Sequence, residues 1–467
     1  MDESRPSTPR NEPTPEALPR TDVASRDAMT PGEGWSSGLG TTTKLKVIFS
    51  DAGRLTGLPH GPRALIVGAG VSGLTAAIAL HRAGWRVAVH ESRLTPGIDD
   101  ASDACLGVSI GAAGVAALRT IGADVGVLAA GEPIRQRRVM LASGRVVRET
   151  SAAAEELEHG VPGVMLTRAD LLGALRSHIG EELIHTGHTF AGVEEEALAA
   201  AVRVRDVHGV DSMRRADAVL GADGALSGVR ASIAARAGAQ PTAAISPDAL
   251  RWQVIFGMAD APLSLYPGGL LTRVWGHGTR MGIMRVPPRR REIASPHRVA
   301  WWLAREVWGH SPTSADGAAL RRDALAMTDG WWPVARELIR ATSDAQLKTM
   351  VATTDTHAAL HAAGRGRVAL LGDAAHPLWP LIDDAIALAI RDAMQATAAL
   401  ADVDASEIVH ALRGFESRRD VHVRHAIRRA RLLTPLRSPL LAGLREGLLR
   451  VMPGRLLAAS LEGRTTT

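Results

Sequence analysis

Three short, almost unbroken apolar runs punctuate this chain, and each ends in a glycine turn. Ala64–Val67 runs into Gly68, Ala218–Leu220 into Gly221, and Val368–Leu371 into Gly372. Short apolar runs bounded by turn signals predict buried strands of a parallel sheet. After the first run, Ala76, Ala77, Ala79 and Leu80 recur on one face of a helix beginning near Val71. Gly84 stands where that helix should stop, and Arg86–His90 reads as the next strand. Further helices are predicted over Gly111–Gly122 and over Asp170–Ile179, where Leu171, Leu172 and Leu175 share a face. Val202–Val210 reads as a strand, and polar β-like segments surround Arg138–Val147. From about Ala249 to Trp302 the pattern changes to β-like runs, RWQVIFG, LLTRVWG, RMGIMRV and HRVAWW. The last sixty or so residues read as helical and rich in arginine. No internal repeat is evident.

Composition narrows the class. Of 467 residues, 46% are hydrophobic and 22% charged, which is ordinary for a globular chain able to bury one large core or two. Residues 1–60, rich in Pro, Ser, Thr and Gly, show little periodicity beyond Lys46–Phe49, so a disordered extension is expected there. The net charge is +5, with arginine far outnumbering lysine. No basic stretch is interleaved with stacking aromatics, so nucleic acid is not an expected partner. Cys105 is the only cysteine, which excludes an intrachain disulfide and a cysteine metal site. No run approaches the ~20 apolar residues that span a bilayer, and no apolar signal core opens the chain. Cytoplasmic residence is the default expectation.

The turns carry the candidate chemistry. Gly68, Gly70 and Gly73 form G-x-G-x-x-G between a strand and a helix, with Ser72 inside the motif. The first glycine allows a tight turn, the second lets backbone approach a pyrophosphate, and the third lets helix pack on strand. The helix start then points its N–H groups at that phosphate. Glu91, eighteen residues after Gly73 and followed by Arg93, suits the hydroxyls of an adenosine ribose. A dinucleotide is therefore expected. The second turn, ADAVLGADGALSGVR, places Asp223 beside Gly224, with Ser227 and Arg230 one helical turn apart. It suits sugar or phosphate, or equally a helix capped by Asp223. The third, GRVALLGDAAHPLWP, offers Asp373 to a polyol, or caps a helix in an α/β sheet.

Taken in this order, the motifs resemble the flavin-dependent monooxygenases typified by p-hydroxybenzoate hydroxylase, and most closely the salicylate hydroxylase and zeaxanthin epoxidase branch. The likeness extends through LGVSIGAAGVAALRTIG, LTRADLLGAL and ALRGFESRRDVHVR, covering most of residues 61–455. It implies an α/β fold: a Rossmann-like FAD-binding domain of the GR2 type, an inserted mixed β-sheet substrate domain, and C-terminal helices. The implied FAD domain is discontinuous, over 61–133, 161–245 and 361–403. The substrate domain takes 134–160 and 246–360, and residues 404–467 form a helical region. The resemblance implies FAD as cofactor, with NAD(P)H and dioxygen as co-substrates and one oxygen atom transferred to a small molecule. It assigns Gly68, Gly70, Ser72 and Gly73 to the pyrophosphate, and Glu91 and Arg93 to the adenosine. Arg168 goes to the phosphate and ribityl region, Gly372 and Asp373 to the ribityl chain, Asp223 to the motif shared by FAD and NADPH, and Pro380 to the flavin loop.

The chain departs from that pattern after Pro380. Where the family has Gly-Gln-Gly-Ala-Asn, Leu381-Ile382 is followed by Asp383-Asp384-Ala385. Two carboxylates there disfavour a negatively charged reduced flavin, unless they face away and serve the helix N-terminus. An oxygenase is the leading reading, and a relative that retains the fold as a non-oxygenating cyclase or binding protein is the alternative. Tyr266 is the sole tyrosine, which excludes a relay of several tyrosines. Eight of ten tryptophans lie between Trp252 and Trp379. Any one of them suits the sheet core, while Trp379 and Trp275, with Arg251, are candidates for a flat substrate pocket. His277 is a weaker polar candidate.

Overall fold

The three apolar runs are adjacent strands of one five-stranded parallel sheet. Its order is Val368–Leu370, Ala218–Gly221, Arg63–Val67, Arg86–Glu91 and Ile184–Thr186. Register aligns their carboxyl ends, with Val67 opposite both Gly221 and His90, and Gly221 opposite Leu370. The glycine turns therefore leave the sheet at one level. The computed structural model describes residues 61–95, 101–196, 198–236, 249–276, 278–288, 298–307, 316–380 and 384–432. The expected disordered extension, His277, Asp383 and the chain beyond residue 432 lie outside those residues.

Alternating side chains give the parallel sheet two buried faces. Ala64, Ile66, Val87, Val89, Leu220 and Ala369 pack under the helices Val71–Arg82 and Ala385–Leu400. Leu65, Val67, Val219, Val368 and Leu370 face a three-stranded antiparallel sheet, Thr189–Glu195, Ala200–Arg205 and Asp211–Ala216. The strand expected over Val202–Val210 stops at Arg205. There Asp206 accepts the N–H groups of His208 and Val210 at 2.9 Å each, and the chain reverses into a hairpin. Similarly, the β-like stretch around Arg138–Val147 is two strands, Gln136–Leu141 and Val146–Ser151, with Gly144 at φ +89° between them.

A seven-stranded mixed sheet forms the second layer system. Its order is Lys348–Thr354, Leu250–Asp260, Arg298–Val307, Thr279–Arg285, Leu270–Trp275, Gln136–Leu141 and Val146–Ser151. All pairs are antiparallel except Leu270–Trp275 with Gln136–Leu141. One face, with Ile255, Val274, Ile283, Trp301 and Leu303, is covered by the helices Gly317–Met327 and Pro333–Ala341. The other, with Trp252, Val254, Phe256, Leu271, Met284 and Trp302, packs with Cys105, Met165 and Trp379. The fold is thus the α/β arrangement read from the sequence, a Rossmann-like parallel sheet joined to a mixed one. Among the described residues no helix is long and apolar enough to cross a membrane.

Candidate functional site

Local sterics explain the first turn. Gly68 has φ +104°, and a side chain there would strike the backbone of Ala222; a Cβ at Gly73 would collide with the Gly68 carbonyl oxygen. Gly70 differs, since its nearest obstacle would be Ala222 O at 4.0 Å. Gly70 is also the N-cap of the helix Val71–Arg82, with no side-chain cap and no acid in the first turn. The positive end of a twelve-residue helix thus carries no side-chain cap and no acid of its own, as suits an anion site.

Glu91 is buried, and its carboxylate closes the turn from the neighbouring strand. It accepts the Ala69 N–H at 2.8 Å and the Arg93 N–H at 2.9 Å. Arg93 and Arg168 then meet on the buried Asp103, Arg93 Nη1 at 3.4 Å and Arg168 Nη1 through a short contact. Arg168 begins the helix Arg168–Arg176, and its own N–H donates to Leu106 O at 2.8 Å. Sequence reading missed Asp103, which has no motif around it.

Asp223 acts chiefly within the protein. Ser227 Oγ donates to its Oδ1 at 2.5 Å and Val229 N–H to its Oδ2 at 3.0 Å, which caps the helix Gly228–Arg236. Burial raises its pKa, opposed by these hydrogen bonds. Buried Arg230 ties this turn to the next, donating to Ala225 O and Ala374 O at 2.6 Å each.

Gly372, at φ +54°, carries the third turn across the first. A Cβ there would lie 2.8 Å from Ser72 Oγ. Asp373 keeps part of its surface open to the crevice, and no hydrogen bond to its carboxylate is made by the described residues. Surrounding protein raises its pKa by desolvation, with His376, Arg168 and Arg230 opposing. Beneath it, Asp392 Oδ2 accepts the Gly372 N–H at 2.9 Å and lies 2.6 Å from His376 Nε2. Burial alone would raise Asp392, but His376 and these hydrogen bonds hold it below the usual carboxylate range.

Beyond the turn, the Trp379 ring meets Trp302 edge-on at 5.6 Å, and its carbonyl accepts the Thr354 hydroxyl at 2.9 Å. Pro380 O accepts from Arg280 Nη1 at 3.2 Å, and that guanidinium lies 5.4 Å from the Trp275 ring. Trp275 is half-buried on the Trp302 side of the sheet. Arg251 is not brought there: it is exposed, and one residue's offset from Trp252 turns it to the opposite face. A buried cation on the Trp302 face is Arg273, 8% exposed, its guanidinium carbon 5.5 Å from the Trp302 ring and its Nη2 3.2 Å from Ser109 Oγ. A lone arginine inside the apolar run LLTRVWG was the available signal. Asp384 stands at the start of the helix Ala385–Leu400, beside Gly111 and Arg137.

These residues suit a dinucleotide whose pyrophosphate lies at Gly70 and whose polyol reaches Asp373, a carboxylate that accepts no hydrogen bond from the described residues. The carboxyl ends of parallel strands are where such folds hold ligands. Among the described residues no cluster of His, Cys, Asp or Glu suits a metal ion.

Known proteins agree with this geometry. A family model described as an FAD binding domain matches residues 63–430. The chain is 26% identical over 345 residues to an aurachin C monooxygenase/isomerase of Stigmatella aurantiaca, covering 72% of this chain and 79% of that protein. It is 28% identical over 378 residues to a 3-amino-4-hydroxybenzoate 2-monooxygenase of Streptomyces cremeus, covering 79% and 86%. A solved structure of Klebsiella pneumoniae HpxO with FAD and uric acid superposes with a TM-score of 0.70 at 24% identity, covering 86% of this chain and 96% of that one.

Proposed function

This chain belongs to the FAD-binding-domain family, as an FAD-dependent monooxygenase of the p-hydroxybenzoate hydroxylase type, and we propose that its substrate is a flat, largely apolar ring bearing an acidic oxygen. The observation that carries the substrate class is Arg273, a guanidinium buried on the pocket face beside Trp302. Its planar fork of donors suits two oxygens at once, while the partly exposed Trp379 and Trp275 offer apolar surface to a ring. The two monooxygenase relatives support the oxygenase reading over a non-oxygenating cyclase or binding protein.

FAD, when bound, supplies the electron transfer and oxygen activation, with NAD(P)H as reductant. The chain's part is binding and placement. Gly68, Gly70, Ser72 and Gly73 would receive the pyrophosphate, Glu91 and Arg93 the adenosine, and Arg168 and Asp373 the ribityl side, with Gly372 closing the turn. Asp223 supports these from behind as a cap. Trp379 and Pro380 bring the cofactor loop against the substrate sheet, and Arg273 orients the ring. Residues 61–133, 161–245 and 361–403 would serve the cofactor, and 134–160 with 246–360 the substrate. The cytoplasm is the compartment that suits this reductant.

The test is an absorbance spectrum of the purified protein, followed by NADH or NADPH oxidation with a panel of hydroxybenzoates and 4-quinolones and their O-methylated or esterified counterparts. Flavin bands and faster oxidation with the acidic members are expected. Equal stimulation by the blocked members would remove the acidic-oxygen requirement.

A further inference from the structure

Pro380 and Asp384 each lie near an arginine of the seven-stranded sheet. Arg280 donates to Pro380 O. A Cβ placed on Gly111 would lie 3.7 Å from Arg137 Nη2, 3.2 Å from Glu155 Oε1 and 3.7 Å from Asp384 Oδ2. Three charged groups thus converge on one point at the start of the helix Ala112–Thr120, and Arg137 Nη2 is 3.0 Å from Glu155 Oε2. Arg137 pairs in register with Leu271, which puts it on the face that carries Arg273 and Trp302. Asp384 makes no side-chain cap to its own helix.

This cluster stands close to the cofactor crevice. Ala389 of the same helix packs against the Gly372 turn, where an added Cβ would be 3.2 Å from it. Five residues at ~1.5 Å each set Asp384 roughly 8 Å along the helix from that contact. We propose that Asp384 and Arg137 are a positioning pair of opposite charge that sets the reduction potential of the bound flavin from the substrate sheet. The inference rests on the FAD reading above. Reduction adds negative charge to the ring system, so a nearby carboxylate disfavours it and a nearby guanidinium favours it.

The experiment measures the midpoint potential of bound FAD by dye equilibration in the full-length protein and in Asp384→Asn, Asp384→Glu and Arg137→Gln. Asp384→Asn should raise the potential and Arg137→Gln lower it. Each should change the reduced-to-oxidised ratio about tenfold, near 30 mV for a two-electron couple. Asp384→Glu should stay with the parent. Glu155→Gln is the substitute for Asp384→Asn if that variant does not fold, and it should move the same way. Unchanged potentials, or shifts of one sign in both neutralised variants, would overturn the pair, since general loosening has no reason to reverse sign. A parent protein that binds no FAD would instead sink the cofactor reading.

Discussion

Trp302 and Trp379 meet edge-on, with ring centroids 5.6 Å apart and planes at 67°, and this contact joins the mixed sheet to the turn bearing Asp373. Trp302 is 3% exposed, and Gly282 leaves the space its ring fills. Removing it should leave a core cavity. Trp302→Ala is expected to cost about 3–5 kcal/mol in urea unfolding. Trp379→Ala, partly exposed, should cost nearer 1 kcal/mol, the scale of the aromatic pair, yet raise KM for substrate more than its stability loss suggests. Equal effects of the two on stability would show that Trp379 is as much core as Trp302.

The glycines of the first turn should separate folding from cofactor binding. Gly73→Ala forces a Cβ into the Gly68 carbonyl and is expected to unfold the helix–strand contact, lowering Tm sharply. Gly70→Ala meets no protein atom nearer than 4.0 Å. It should fold with Tm nearly unchanged and lose FAD affinity by about tenfold or more, about 1.4 kcal/mol. Calorimetry on the FAD-free form and a fluorescence titration with FAD distinguish them.

Under the proposed substrate class, Arg273 should set a charge requirement. Arg273→Met should raise KM for acidic ring substrates roughly 100-fold, on the scale of about 3 kcal/mol for a charge-assisted bidentate contact. Arg273→Lys restores charge but not the fork, and should recover only part of the loss. KM for neutral ring analogues should change little in either variant. A matching loss for neutral analogues would mean that the side chain shapes the pocket instead.

A pH effect follows from the histidines behind Glu91. His90 stacks on His185 and His188 with centroids 4.9 and 5.1 Å away, and its Nδ1 lies 3.0 Å from that of His188. Burial, then His185, His188 and Arg214, lower its pKa to about 3, and His185 is lowered for similar reasons. The native state thus binds fewer protons than the unfolded chain between about pH 6.5 and pH 3. Stability contributed by neutral His90 is full above pH 6.5 and falls as pH drops, by about 2 kcal/mol at pH 5. Urea unfolding at pH 7.5 and pH 5 should show this slope, and His90→Phe should flatten it. An unchanged slope in that variant would place the titration elsewhere.

The strands and turns around Gly68, Gly221 and Gly372 were legible because backbone sterics tie glycine to fixed places, and apolar runs announce buried parallel strands. The tryptophan-rich β region was equally legible as strands, but not which face each residue joins. Arg251 and Arg273 show the difficulty: both are arginines in apolar strands, and only the register of the mixed sheet turns one outward and the other onto Trp302. Asp223 was readable either as a cap or as a ligand group, and its hydrogen bonds to Ser227 and Val229 favour the cap. Asp103 was not legible, because it acts on Arg168, a partner brought near only by the fold.

The strand Val368–Leu370 pairs with Ala218–Gly221, which pairs with Arg63–Val67, although the first and last of these lie some three hundred residues apart in the chain. Each of the two pairings, Val219 with Val368 and Ala64 with Ala218, joins residues about 150 apart, and contacts of such separation slow folding. Under the proposed FAD reading, a chain that has not yet released residue 373 carries the Gly68–Gly73 turn without the Asp373 turn beside it, so full FAD affinity is expected only after the last strand has docked.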